Sequence, residues 1–225
     1  MKNNILIAVA HPDDEILGIG GTILKHVSYG DIVNILILGD GETSRSSDIA
    51  DINKREQQAK EVSRLLGVSN LILEKLPDNQ FDSIPLLKIV KIIENAIDKF
   101  NPDIIYTHHA HDLNIDHRLT FQAVLTACRP QPNFSVKKIS AFETPSSTEY
   151  QTKSYEAYAF CPTEYNNITN FLPKKLDILK IYKDELREYP HPRSLEGIKI
   201  LAQYRGLEIG CPFAEAFQII RIIND

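Results

Sequence analysis

The chain has 225 residues, 43% hydrophobic and 24% charged, with a formal net charge of −5 at pH 7; a chain of this size can bury roughly 70% of its unfolded surface without covalent staples. The mild acidic balance and the lack of a basic run argue against nucleic acid or an anionic membrane as the main partner. Three scattered cysteines, Cys128, Cys161 and Cys211, are odd in number and form no CxxC pair, which excludes a disulfide framework and a cysteine metal knuckle.

Met1-Lys2-Asn3-Asn4 leads straight into an apolar run at 5–10. That leader is too short for a signal peptide, and no run approaches 18 apolar residues, so a cytoplasmic protein without a membrane span is expected. Residues 5–10 read as a buried parallel strand. His11-Pro12 stops it, because proline cannot donate to a sheet ladder. Three acids follow, then an apolar helix over 16–26. A second strand at 32–38 ends in Gly39-Asp40-Gly41, and residues 42–51 read as a polar loop. A helix over 52–66 closes on Gly67. A short strand at 71–73, a loop at 77–79, a helix over 84–100 and a strand at 103–107 come next. The His-rich stretch 108–117 precedes a helix over 118–128. Strands are expected at 136–143 and 158–160, and helices over 172–188 and 195–204. A rigid loop spans 189–194, and the apolar run 214–223 closes the sheet.

Strand-helix alternation over the first 130 residues implies an α/β fold: a doubly wound, mainly parallel sheet with a more irregular C-terminal part. No linker or repeat divides the chain, so 1–225 reads as one domain. In the common 3-2-1-4-5 order, strands one and four are neighbours at the switch point, where ligands bind. The turn after Ala10 then lies beside the turn after Thr107.

Both turns carry metal-ligating chemistry. His11 offers an imidazole nitrogen and Asp14 a carboxylate three positions on, a pair able to hold a divalent ion from one short turn. Asp13 lies between them and is free to take a proton from water at that ion. An acidic triplet also suits a helix start through the helix dipole, but that preference does not account for a second His/Asp cluster on the facing turn. There His117, at a helix start beside Asp116, is the third ligand candidate. Two His and one Asp leave positions open for water and substrate, as a catalytic zinc site requires. Of His108, His109 and His111, one lines the pocket, and His109 is assigned to substrate.

Ala10-His11-Pro12-Asp13-Asp14-Glu15 together with Asn114-Ile115-Asp116-His117 resembles the PIG-L/LmbE-like zinc de-N-acetylases. Lys54-Arg55-Glu56, Gly39-Asp40-Gly41 and Ala214-Glu215-Ala216-Phe217 support the resemblance, which covers most of the chain. It implies a Rossmann-like fold and a Zn2+ (or another divalent ion) on His11, Asp14 and His117, with Asp13 as general base. The implied reaction removes acetyl from an N-acetylated amino sugar or sugar conjugate, nucleotide-linked sugars included, releasing acetate and a free amine.

The chain departs from the family in one place. Many members have His-x-Asp-His where this chain has Asn114-Ile115-Asp116-His117, and asparagine cannot supply a proton at neutral pH. His191, held between two prolines, is one replacement for the general acid; Asp13 acting as base and then acid is the other. The oxyanion donor is His191 or Asn114. Asp13, Asn114, Asp116 and His191 thus form the expected catalytic group. Arg55 is assigned to substrate hydroxyls or the departing carboxylate, and Arg193 and Arg205 to a phosphate on a nucleotide-linked sugar. The expected partner is a small N-acetylated sugar, with a homo-oligomer left open. The alternatives are an amidase or deacylase on a non-sugar substrate, an impaired binding member, and a nucleotide-binding module. The last lacks a GxGxxG cradle and places acids where pyrophosphate would sit.

Overall fold

The computed structural model describes residues 2–46, 48–132, 134–152 and 158–224. Strand β1 (Asn4–Val9) is central to a seven-stranded sheet. Its side chains alternate between two cores, as the two-residue period of a strand requires. Ile5, Ile7 and Val9 enter one core, and Leu6, Ala8 and Ala10 enter the other. A strand covered on both faces carries a continuous apolar run.

The elements follow in order: α1 (Asp14–Ser28), β2 (Ile32–Gly39), α2 (Ile49–Leu66), β3 (Asn70–Leu76), α3 (Leu86–Phe100), β4 (Ile104–His108), α4 (Ile115–Ala127), β5 (Lys138–Phe142), β6 (Glu164–Asn167), α5 (Leu172–Leu179), α6 (Leu195–Leu207) and β7 (Ala214–Ile222). Strand order is β3-β2-β1-β4-β5-β7-β6. The first five strands are parallel, as the 3-2-1-4-5 expectation requires, and β7 runs antiparallel between β5 and β6. Residues of α1, α2, α5 and α6 fill one core, and those of α3 and α4 fill the other. Among the described residues no helix is long and apolar enough to cross a membrane.

Several boundaries differ from the sequence reading. Helix α2 begins at Ile49, not 52, because the Asp48 carboxylate caps it by accepting the Ala50 N–H at 2.8 Å. Helix α4 begins at Ile115, not 118, because Asn114 caps it. The strand expected at 158–160 lies instead at Glu164–Asn167. Tyr158 stacks on His111 and Phe160 meets His109 edge-on, so these side chains serve the His-rich turn and not the sheet. The helix expected to reach 188 ends at Leu179, followed by one tighter turn. Beyond it Glu185 turns inward and is only 3% exposed, gathered by arginines described below.

Helix α1 is bent at Ile19 (φ −134°, ψ 19°), which frees backbone groups in its middle. A buried ion pair satisfies them. The Glu215 carboxylate of β7 accepts the N–H groups of Gly21 at 2.8 Å and Thr22 at 2.6 Å. Lys175 Nζ donates to the Leu17 carbonyl at 2.9 Å and to Glu215 at 2.7 Å. Glycines let the bent helix lie close to its neighbours: a Cβ on Gly18 would come within 2.3 Å of the Phe142 ring, and one on Gly21 within 2.8 Å of Ile168. Removing one member of a buried pair strands the other charge, at a cost of about 3–5 kcal/mol. Glu215→Ala should therefore lower unfolding free energy by about that much in a urea titration; a loss under about 1 kcal/mol would contradict the stitching role.

Candidate active site

Parallel pairing of β1 with β4 sets Ile7 opposite Tyr106 and brings their following turns together. The Ala10 N–H donates across to His108 Nε2 at 3.0 Å. In the β1 turn the Asp14 N–H reaches the His11 carbonyl at 3.3 Å, and the Asp14 carboxylate accepts the His11 N–H at 2.8 Å. This tight turn forces Asp13 to φ 121°, ψ −28°, a conformation that L residues rarely adopt. Such strain persists where surrounding contacts hold it. Here Glu15 accepts the Asp13 N–H at 3.0 Å, and the buried Tyr182 hydroxyl donates to Glu15 at 2.9 Å. Burial pushes the Glu15 carboxyl up to about 8.

His11, Asp14 and His117 converge with their donor atoms within 4.8 Å of one another. Asp14 Oδ2 lies 3.5 Å from His11 Nδ1, and Asp14 Oδ1 lies 3.4 Å from His117 Nε2. Asp14 Oδ1 is buried without a hydrogen-bond partner, an arrangement a bound cation would satisfy. The far nitrogen of each imidazole faces another carboxylate. His11 Nε2 lies 2.9 Å from Asp116 and 3.1 Å from Asp78, and His117 Nδ1 lies 3.3 Å from Asp112. Carboxylates in those positions orient ligand histidines and raise their basicity. Asp116 is itself fixed by the Phe81 N–H at 3.0 Å; Asp112 accepts the Thr148 hydroxyl at 2.7 Å and also that of Ser147.

Asp14, Asp78, Asp112 and Asp116 are all at most 3% exposed. They face two imidazoles, so the cluster keeps a negative excess even with both rings protonated. Burial opposes charge on His11, but hydrogen bonds to Asp116 and Asp14 outweigh it and push the imidazole up to about 10. Burial likewise opposes charge on His117, and Asp14 and Asp112 push it up to about 9. His108, stacked on His117 at 3.9 Å, is pushed the other way, to about 4, by burial and by the His117 charge. With Nε2 accepting from Ala10 and Nδ1 3.3 Å from Thr144, it is a neutral support for the cluster.

Asp13 points to a second set of charges. Its Oδ2 accepts from Arg193 Nη1 at 3.0 Å, which also reaches Glu185 at 3.2 Å. Glu185 pairs with Arg45 and Arg55 as well, and Arg55 donates to Glu42 at 2.6 and 2.8 Å. Burial raises the Asp13 carboxyl to about 6; Arg193 opposes the rise, and Asp14 and Glu185 add to it.

The structure thus brings His11, Asp13, Asp14, Asp116, His117 and Arg193 together, with Arg55 joined through Glu185. Other expected residues are engaged elsewhere. The Asn114 carbonyl oxygen accepts the Asp116 N–H at 2.8 Å as helix cap, and its amide donates to Asn79 at 3.0 Å. His109 Nε2 lies 3.1 Å from the Tyr158 carbonyl, and Arg205 is held by Glu143 and Glu208. His191 Nδ1 accepts the Arg193 N–H at 3.0 Å, which leaves the proton of the neutral ring on Nε2. Sequence reasoning missed Asp78, Asp112 and Glu185. Asp78 follows β3 and Asp112 lies in the His-rich turn, so the sheet order pointed to both; Glu185 carries no local signal.

The sequence model of the PIG-L family, described as GlcNAc-PI de-N-acetylase, matches residues 6–128. The chain belongs to the PIG-L family. A probable N-acetyl-alpha-D-glucosaminyl L-malate deacetylase 2 of Bacillus anthracis is 24% identical over 198 residues, covering 82% of this chain and 83% of the relative. The structure resembles the N,N'-diacetylchitobiose deacetylase of Pyrococcus horikoshii, with TM-score 0.76, 21% identity and coverage of 97% and 84%. It also resembles GalB, the 4-carboxy-2-hydroxymuconate hydratase of Pseudomonas putida KT2440, with TM-score 0.76, 18% identity and coverage of 100% and 99%. A PIG-L fold therefore does not by itself specify the reaction, which has to be argued from the site.

Metal ligands must be unprotonated, so a cation entering this cluster displaces protons from imidazoles raised to about 10 and 9. Affinity for a divalent cation should rise between pH 6 and 8, with on the order of one to two protons released per ion. Calorimetry in buffers of differing ionisation enthalpy reads that release; a pH-independent affinity would contradict the assignment. Asp116→Asn, which weakens the hold on His11, should lower affinity about 10–100-fold.

Proposed function

We propose that the chain is a metal-dependent N-deacetylase that hydrolyses the acetamide of an N-acetylated amino sugar or sugar conjugate, with zinc as the ion. The observation that carries this reading is the placement of Asp13. Its carboxylate is one residue from Asp14 on the same strained turn, beside a buried His-Asp-His set with an unsatisfied oxygen. Family membership and deacetylase relatives support the reaction class.

His11 Nδ1, Asp14 and His117 Nε2 would hold the ion. When bound, a divalent ion supplies Lewis acidity toward the acetamide carbonyl and toward water. The chain's own residues do the rest. Arg193 fixes Asp13 Oδ2, leaving Oδ1 to take a proton as water attacks the carbonyl carbon. Asp13 Oδ1 then carries that proton to the amide nitrogen as the C–N bond breaks, giving the amine and acetic acid, which ionises to acetate. His191, whose Nδ1 is occupied by the Arg193 N–H, presents its Nε2 proton as the donor for the carbonyl oxygen. Asn114, engaged as helix cap, is the weaker candidate for that part.

Asp13→Asn should retain metal but lower kcat about 10²–10⁴-fold, the usual worth of a general base. In the wild type, Asp13 works ionised, so acetate release should fall as pH drops through about 6 and level off above it. Full activity of the variant, or no acid limb in that range, would remove Asp13 as base.

A further inference from the structure

An open groove of about 390 Å³ lies between the segment 143–149 and the loop leading into α6. One wall is formed by Tyr189, Pro190, Pro192, Ile200 and Tyr204. Tyr189 is 64% exposed, Tyr204 55% and Ile200 43%, a grouped apolar surface of the kind that marks a binding site. The groove adjoins the loop that carries His191 and Arg193. Pro190 and Pro192 bracket His191. The Pro145 carbonyl accepts Arg193 Nε at 3.4 Å, and the same guanidinium holds Asp13 at 3.0 Å. Pro145 of the groove wall is thus linked to Asp13 through the single side chain of Arg193.

Charge narrows what fits. No lysine, arginine or histidine is among the described residues lining the groove, which include two carboxylates. Glu143 is held by Arg205 at 2.6 and 2.7 Å, while Glu149 is exposed and, among the described residues, accepts the Ser146 N–H at 2.6 Å and pairs with no cation. The cations beside the groove are committed: Arg205, over the Tyr204 ring at 5.1 Å, is paired with Glu143 and Glu208, and Arg193 with Asp13 and Glu185, so a phosphate or carboxylate would meet Glu149 without a free cation to answer it. Tyrosine and proline faces suit rings and alkyl chains. We propose that this groove receives the part of the substrate beyond the acetamido sugar, and that this part is an uncharged aryl or alkyl aglycone. The inference rests on the deacetylase reading above and names the substrate class of that site.

The test measures acetate release by the zinc-loaded protein from N-acetylglucosamine, its phenyl β-glycoside and its 1-phosphate. The phenyl glycoside should exceed the free sugar in kcat/KM by about tenfold or more, the worth of burying one ring, with the 1-phosphate at or below the free sugar. In Tyr204→Ala and Ile200→Asp the phenyl-to-free ratio should collapse toward one. A wild-type ratio near one, a ratio unmoved by both substitutions, or preference for the 1-phosphate would overturn the proposal. Equilibrium binding of the phenyl glycoside reads the groove without turnover. If no substrate releases acetate, the deacetylase reading fails. Weaker binding by Tyr204→Ala would then still support the groove as an aglycone site, and unchanged binding would overturn it as well.

Discussion

The parallel register of β1 against β4 is the constraint on which the site depends. With Ile7 set opposite Tyr106, the two strands end level, and the Ala10 N–H can reach His108. A one-residue slip would turn every side chain of a strand to the opposite face. Because β1 is buried on both sides, such a slip would exchange the large residues Ile5, Ile7 and Val9 with Leu6, Ala8 and Ala10 between two packed cores. Core packing therefore holds the His11 turn and the His108–His117 turn in place.

Around those turns the protein accumulates buried charge that works against its own folding. Four aspartates surround two imidazoles, and a second group places Asp13, Glu42 and Glu185 among three arginines. The two groups are balanced differently. The arginine group is neutralised from within the chain, which fixes Asp13 by a permanent guanidinium contact. The aspartate group is left negative, and a divalent cation is the matching counter-charge. Asp13 stands at the boundary between them, and its carboxyl is lifted by burial yet restrained by Arg193. A carboxyl placed that way is ionised near neutral pH and still basic enough to take a proton.

The backbone of Asp13 shows the same tension. Its positive φ is held from three sides: the Glu15 carboxylate on the N–H, the helix start on the carbonyl, and Arg193 on the side chain. Tyr182, from the C-terminal part, anchors Glu15 in turn. The irregular C-terminal region thus completes the N-terminal turn. It supplies Tyr182, Glu185 and Arg193 to the surroundings of Asp13 and, through Lys175 and Glu215, the stitch that stabilises the bend of α1.

The sequence alone determined the parallel sheet, its 3-2-1-4-5 order and the meeting of the His11 and His117 turns. Apolar runs bounded by proline, glycine and acids carry that information locally, and right-handed crossovers leave few topologies to choose from. It also grouped His11, Asp13, Asp14 and His117, because two of these turns are dense in ligand-type residues. Helix starts at Ile49 and Ile115 were misread by three residues, since capping by Asp48 and Asn114 lets polar residues begin a helix. Only the tertiary structure decided which nitrogen of each imidazole faces Asp14, that Asp78 and Asp112 back the ligands, and that Arg193 and Glu185 flank Asp13. The contacts of His11 with Asp78 and of Asp13 with Arg193 join residues far apart in the chain, the latter 180 positions apart. Their partners are set by the packing of whole elements, and no local pattern of residues records them.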